Sequence, residues 1–463
     1  LNMDRAKEKK QGRDLGSDSI GRLMFSLAVP AITAQVVNML YNIVDRIYIG
    51  HIPETGALAL TGVGITFPII ILIMAFSSLI AMGGAPQAAI AMGEKNLEKA
   101  EKILGNCFAA LLGFSVVLTA VFLVFGEPIL RAFGASGNTI GYANSYMRIY
   151  ACGTVFVQIA LGMNMFITTQ GFATTSMLTV VIGAALNIVL DPLFIFVFHM
   201  GVQGAALATI LSQGVSAAWV LKFLLGRKTA IKIRKEHMRI DPKIILPVMA
   251  LGVSPFIMQS TESLLSVALN TSLLKYGGDG AVGAYTVIAS VMQTASLPMQ
   301  GLCQGAQPIT SFNYGARNLD RVKKSIRVLV LCTCTFGVLF WLAVMLVPQV
   351  FAGLFTSDQD LMTMTVWAMR IFLFGIFSMG AQMGFQQSFV ALGQAKASLM
   401  LALLRKIVLL IPLIYILPAF FENKLFGVFV AEPIADITAA LVTSVSFLTW
   451  AKRHLDAGGK RET

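Results

Sequence analysis

The segment N-I-V-L-D-P-L-F-I-F, residues 187–196, sets Asn187 and Asp191 among Ile, Val, Leu and Phe. A carboxylate at the centre of a membrane helix costs about 2.5–3.5 kcal/mol on insertion scales, so Asp191 needs a compensating role. Asn187 and Asp191 are four residues apart and share a helix face, and Pro192 loosens the helix there by removing a backbone donor. A second acid, Asp45, stands in Y-N-I-V-D-R-I-Y-I-G, residues 41–50. Two carboxylates brought together away from water cannot both stay charged cheaply, so such a pair takes up a proton or holds a cation such as Na⁺. Asn187, the Thr209 hydroxyl, Tyr41 and Asn42 are the nearby oxygen donors available to it. Pairing of Asp45 with Arg46 is the competing reading, and it is weak because adjacent helical residues face apart.

The elements that must position these groups follow from composition. The chain has 463 residues, 56% of them hydrophobic and 13% charged. A soluble chain of that length needs more charge to cover itself, so the expectation is an all-α polytopic membrane protein. Apolar runs long enough to span, about 20 residues each, fall near 22–49, 57–83, 101–125, 139–168, 172–199, 203–225, 243–275, 281–306, 322–348, 360–389, 396–420 and 425–451. Spans one and five run the same way, which brings Asp45 and Asp191 to similar depth.

The net charge of +12 does not point to nucleic acid, because the basic residues lie in short stretches between apolar runs. They cluster in the tail (Arg5, Lys7, Lys9, Lys10, Arg13), at Lys95, Lys99 and Lys102, at 227–239, at Arg317, Arg321, Lys323 and Lys324, and at Lys452 and Arg453. All fall on one side of the predicted membrane. The opposite side carries Glu54, Glu127, Asp279, Asp358 and Asp360. The positive-inside pattern therefore places both termini in the cytoplasm. The first apolar run is too long for a removable signal peptide.

The halves repeat at an offset of 222 residues. Pro86, Gly93, Asn96 and Leu97 correspond to Pro308, Gly315, Asn318 and Leu319, and Met147-Arg148-Ile149 corresponds to Met369-Arg370-Ile371. Each half is a six-helix unit, and because six is even the two enter the membrane in the same sense. They are then related by a pseudo-two-fold axis along the membrane normal, an arrangement found in transporters. The expected division is a tail at 1–18, an N-lobe at 19–225, a basic linker at 226–242, a C-lobe at 243–452 and a tail at 453–463. Arg148 and Arg370 are expected to anchor at the interface.

Enzyme chemistry finds no support. No G-x-x-x-x-G-K-[ST] occurs, the nearest fragment being Gly458-Gly459-Lys460-Arg461. His51, His199, His237 and His454 are too dispersed for a metal site, and the five cysteines have no ligand spacing and read as small buried hydrophobes. No cofactor is expected, and uphill transport has to draw on an H⁺ or Na⁺ gradient. The C half does not copy the acid pair: Val267 and Leu413 occupy the equivalent positions. It carries Glu262, Glu432 and Asp436 instead, which suggests ion coupling in the N half and cation attraction in the C half. Tyr41, Asn42, Asn164, Gln259, Glu262, Gln382, Gln386 and Asp436 are the candidates to line a substrate cavity.

N-I-V-L-D-P-L-F-I-F, V-D-R-I-Y-I-G and G-A-R-N-L-D-R-V resemble the MATE family, the multidrug and toxic compound extrusion transporters, most nearly its bacterial DinF-like and MepA-like members. The resemblance covers all but about 18 N-terminal and 10 C-terminal residues. It implies two lobes around a V-shaped cavity in the bacterial cytoplasmic membrane, and export of amphipathic organic cations by alternating access. It implies an ion site at Asp45, Asn187 and Asp191, and a functional span-seven acid at Glu262. An acid usual on span ten is replaced here by Gln382, Gln386 and Gln387, which moves weight to the N-lobe. The expected partners are small cationic amphiphiles and the bilayer, with no nucleic acid, and the expected state is a monomer. The alternative is a flippase for lipids or lipid-linked oligosaccharides, for which an anionic pyrophosphate cargo would need several internal Arg or Lys. The alternative of a passive channel predicts no ion-driven uphill movement.

Overall fold

Residues with no backbone polar group to spare inside lipid form helices, since only a helix or a closed barrel pairs every N–H and C=O internally. The computed structural model describes residues 14–355 and 359–456, and these are helical with short connections. The tail residues Arg5 to Arg13, Asp358 and the Gly458–Arg461 fragment lie outside them.

In chain order the spans are α1 (Ile20–Gly50), α2 (Gly56–Gly93), α3 (Leu97–Ala132), α4 (Ile140–Cys152 and Thr154–Thr169), α5 (Ala173–Val197) and α6 (Gly201–Leu224). The second half contains α7 (residues 242–277), α8 (residues 279–315), α9 (Leu319–Leu346), α10 (Gln359–Ala391), α11 (Ala395–Ala419) and α12 (Lys424–Leu455). Two breaks decide the count of twelve among the described residues. The halves of α4 bend by 60° at Gly153. α7 and α8 form one helical run except at Gly278, whose φ of 65° and ψ of −164° turn the chain back. A side chain is strained there, and glycine is not. Several helices extend well past the apolar runs, α2 to Gly93 and α8 to Gly315, because the hydropathy falls before the helix ends.

The repeat is visible in the backbone. α3 and α9 both begin one residue after an asparagine, Asn96 and Asn318, and the non-glycine residues Lys95 and Arg317 just before them both have positive φ, 61° and 56°. Gly171 and Gly393, which precede α5 and α11, also match, at 84° and 72°. The protein is thus two six-helix lobes related by a pseudo-two-fold axis.

The lobes meet at the side that carries the basic connections. A side chain at Gly93 on α2 would collide with the Phe312 carbonyl on α8, and one at Gly315 on α8 with the Ile90 carbonyl on α2. Each lobe also sends a strap to the other. Before α1, Leu15 is buried with Ile20, Leu23 and Leu27 against Ala306, Ile309 and Leu329 of the C-lobe. Before α7, residues 226–241 return over the N-lobe: Glu101 accepts from Lys232 N–H and from Arg234 Nε, and the Asn106 side chain donates to His237 O and accepts from Asp241 N–H.

The cysteines depart from expectation. Cys107 and Cys303 are buried, but Cys152 and Cys332 are exposed on helix surfaces. A thiol is apolar enough to face lipid, which a hydropathy reading cannot tell from a core position. Arg148 and Arg370 are exposed, in keeping with an interfacial place.

Candidate functional site

Asp191 lies one residue before the end of the α-helical part of α5 at Pro192, and Leu193–Val197 continues as a wider π-turn. Asp191 is 0% exposed and Asn187 2%. α1 lies alongside α5 and brings Asp45 within electrostatic reach of Asp191. Two carboxyl groups near each other and away from water are disfavoured as two charges. Arg46 is within electrostatic reach of Asp45, and its guanidinium lies over the Phe67 ring at 4.7 Å.

Asn187 Nδ2 donates to Asp191 Oδ1 at 3.4 Å and to Thr209 Oγ1 on α6 at 3.5 Å, while Thr209 donates to Ala205 O at 3.0 Å. Asp45 Oδ1, Asp191 Oδ2 and Asn187 Oδ1 are buried and find no protein N–H or hydroxyl donor. Oxygens of this kind, with the Thr209 hydroxyl, suit a proton or a hard monovalent cation. Among the described residues no three His, Cys, Asp or Glu side chains are grouped to hold a metal ion. Four of the expected site residues, Asp45, Asn187, Asp191 and Thr209, are therefore brought together from α1, α5 and α6.

Two further residues were not singled out from the sequence. Tyr146 on α4 lies near Thr209, and Tyr150 stacks on Tyr146 with ring centroids 6.2 Å apart. Tyr41, from α1, lies within electrostatic reach of Asp45, Asp191 and Tyr150. The signal was present: Tyr142, Tyr146 and Tyr150 recur at helical spacing in α4.

The expected cavity residues divide. Glu262 is exposed and Gln259 is half-buried, donating to Ser78 Oγ across the lobes at 2.8 Å. Asn42 is half-buried and donates to Asn38 O at 2.7 Å. Asn164 instead ties α4 to α5, donating to Ser176 O and accepting from Thr179. Gln382 and Gln386 are 2% and 4% exposed and do not line a cavity: Gln382 donates to Gln386, and Gln386 reaches Ser254 at 3.4 Å inside the C-lobe. Asp436 is likewise 4% exposed, because Arg405 pairs with it.

That pairing corrects the reading of the C-lobe acids as free attractors of cations. Within the π-helical stretch Leu404–Leu410 of α11, Arg405 and Lys406 are both buried. Arg405 donates to Asp436 Oδ1 from Nε at 2.8 Å and from Nη2 at 2.6 Å, and to Glu432 Oε1 at 3.4 Å. Lys406 donates to the Glu262 carboxylate and to Met258 O at 3.0 Å.

A profile of the MatE family matches residues 30–193 and 255–416, most of both repeats. The chain belongs to the MatE family. Its members are membrane transporters, so the fold and the absence of enzyme motifs now have one explanation. Among curated relatives, the multidrug export protein MepA of Staphylococcus aureus (strain MSSA476) is 23% identical over 423 residues, covering 91% of this chain and 93% of its own. MepA of Staphylococcus saprophyticus is 23% identical over 428 residues, covering 92% of this chain and 93% of its own. Among solved structures, the MATE multidrug transporter DinF-BH is 34% identical with a TM-score of 0.87, covering 96% of this chain and 98% of that one. A MOP superfamily transporter from Pyrococcus furiosus is 24% identical with a TM-score of 0.88, over the same shares of the two chains, which speaks to the fold alone.

Proposed function

We propose that this MatE-family transporter exports amphipathic organic cations by alternating access, in exchange for protons taken up at Asp45 and Asp191. The observation that carries this reading is the full burial of Asp191, with an oxygen of Asp45 and one of Asp191 each buried and without a hydrogen-bond partner among the described residues. Loading a proton makes the pair one neutral acid and one carboxylate held together. Removing it leaves two negative charges in a low-dielectric site, which repel and drive α1 away from α5. The names of the relatives, multidrug export proteins, support the cargo class. Na⁺ is the second candidate ion, supported by the buried oxygens of Asp45, Asn187 and Asp191.

The basic connections 93–97, 224–242 and 315–319 belong on the cytoplasmic side by the positive-inside rule, with both termini there, in a bacterial cytoplasmic membrane. On this reading the protein works as a monomer, binds small molecules within the bilayer, takes no nucleic acid and needs no cofactor beyond its coupling ion. The flippase reading gains two buried basic residues, Arg405 and Lys406, but each is neutralised by an acid and leaves no cationic pocket for a pyrophosphate.

Reconstitution in liposomes tests the reading. Ethidium movement is followed under a pH gradient alone and then a Na⁺ gradient alone, with Asp191→Asn as control. Movement driven by protons and lost in the variant supports the proposal. Movement driven only by Na⁺ replaces the proton by the metal ion, and no driven movement by folded protein overturns antiport.

A further inference from the structure

A cavity of about 450 Å³ lies between α3 and α4 at the end away from the basic connections, and Leu123, Val124, Glu127, Arg131, Asn144 and Arg148 line it. Asn144 and Arg148 are four residues apart on the first half of α4 and share a face. Tyr146 and Tyr150, two residues on from each, turn to the opposite face and are buried inside the N-lobe. A side chain at Gly126 on α3 would meet Asn144 Oδ1 at 3.7 Å, so the Asn144 amide reaches across to α3.

The charges around the cavity do not balance. Arg131 donates to Glu127 Oε1 from Nε at 3.1 Å and from Nη2 at 2.8 Å, and those two charges offset each other. Arg148 is exposed and forms no ion pair among the described residues. The cavity therefore carries one surplus positive charge, on a guanidinium whose planar fork matches two oxygens of a phosphate. From the cavity an apolar track runs along α3 into the membrane: Val124 and Val117, seven residues apart, are both exposed. A phosphate-binding rim above a lipid-facing track matches the two ends of a phospholipid.

The repeat supplies the comparison. Arg370 takes the place of Arg148 in the C-lobe and is also exposed, but at the 222-residue offset Asn144, Arg131 and Glu127 become Val366, Gly353 and Gln349. An arginine that only anchors a helix at the interface needs no such neighbours. Arg148 has them and Arg370 does not.

We infer that the cavity between α3 and α4 binds a singly anionic phospholipid from the leaflet opposite the basic connections, with its phosphodiester on Arg148 and the Asn144 amide and an acyl chain along Val124 and Val117. The single surplus charge selects such a headgroup over a zwitterionic one, and the apolar track selects a lipid over a soluble phosphate.

The test places the full-length protein in phosphatidylcholine vesicles that carry a trace of phosphatidylglycerol with a photoreactive diazirine on one acyl chain, and maps the labelled peptides by mass spectrometry. The expected result is label on residues 117–131 of wild type, displaced by unlabelled phosphatidylglycerol but not by phosphatidylethanolamine or inorganic phosphate. Arg148→Gln should lower that label about tenfold, the effect of losing a charge-assisted hydrogen bond, and Arg370→Gln should leave it unchanged, with monodisperse elution as the check of folding. Absence of label on this segment in wild type would overturn the proposal, and so would equal displacement by phosphatidylethanolamine. Displacement by inorganic phosphate would make the cavity a site for a free anion, and equal losses in the two arginine variants would reduce Arg148 to an interfacial anchor. The competition arms use wild type alone, so they decide the matter even where Arg148→Gln fails to fold.

Discussion

Gly93 on α2 and Gly315 on α8 occupy equivalent positions of the repeat, and each packs against the other's helix, Gly93 on the Phe312 carbonyl and Gly315 on the Ile90 carbonyl. This reciprocal contact closes the basic side of the molecule, and on the alternating-access reading it must open during transport. Overpacking such a contact costs about 1–3 kcal/mol, which moves a two-state equilibrium by roughly 5- to 150-fold. Gly93→Ala or Gly315→Ala is therefore expected to favour the state open at the basic side. Spin-label distances between α2 and α8 at that side report it, and unchanged distance distributions would show that the glycines are not the seal.

Arg321 reinforces the same closure. It donates from Nη2 to Asp18 O at 2.6 Å and Leu15 O at 3.1 Å, and from Nε to Asn313 Oδ1 at 2.9 Å, so a C-lobe side chain holds the strap before α1. Arg321→Ala is expected to free residues 14–19 and shift the lobes the same way. Protease cleavage near Ser17 should become at least several-fold faster, and an unchanged rate would rule out the latch.

The turn of the strap is held by an acid, Asp14. Asp14 accepts from Ser17 Oγ at 2.6 Å and from Gly16 N–H at 2.9 Å, and its carboxyl lies below the usual Asp value chiefly because of the Ser17 bond. A depressed folded value means that its contribution is present above the ordinary value of 3.8 and is lost as pH falls through the lower, folded one. Strap docking should therefore be flat between pH 5 and 8. Cleavage near Ser17 that changes across that window would contradict it.

On the proton-exchange reading, replacing either acid of the N-lobe pair removes the proton switch. Asp191→Asn and Asp45→Asn are expected to lower proton-driven ethidium efflux by at least about tenfold, the effect of losing roughly 1.4 kcal/mol of coupling. Thr209→Val, which removes a hydroxyl but no charge, should cost only a few-fold. Efflux assays under a fixed pH gradient rank the three, and a Thr209 effect as large as that of Asp191 would make the site a coordination cage rather than a proton switch.

Tyr146→Phe deletes the hydroxyl near Thr209 and leaves the ring stacked on Tyr150. The expected outcome is a shift in the pH dependence of transport with little change in apparent affinity for ethidium. A changed affinity with the pH profile intact would move Tyr146 into cargo binding.

The sequence by itself determined the twelve spans, the 222-residue repeat and the depth of Asp45 and Asp191, because each is read from consecutive residues or from a fixed offset. A helix crosses lipid by the summed hydropathy of one stretch, whatever its neighbours. What a side chain faces was a different matter. Lipid and protein interior are equally apolar, so hydropathy does not mark which side of a membrane helix is buried. Gln382 and Gln386, expected at the cavity, are inside the C-lobe, and Cys152 and Cys332, expected inside, are exposed. The pairing of Lys406 with Glu262 spans 144 residues, and that of Arg405 with Asp436 also needed α11 to widen into a π-turn at that point. Only the packed tertiary structure decided those partners, since the choice depends on the rotation of one helix against another, and a list of apolar residues does not contain it.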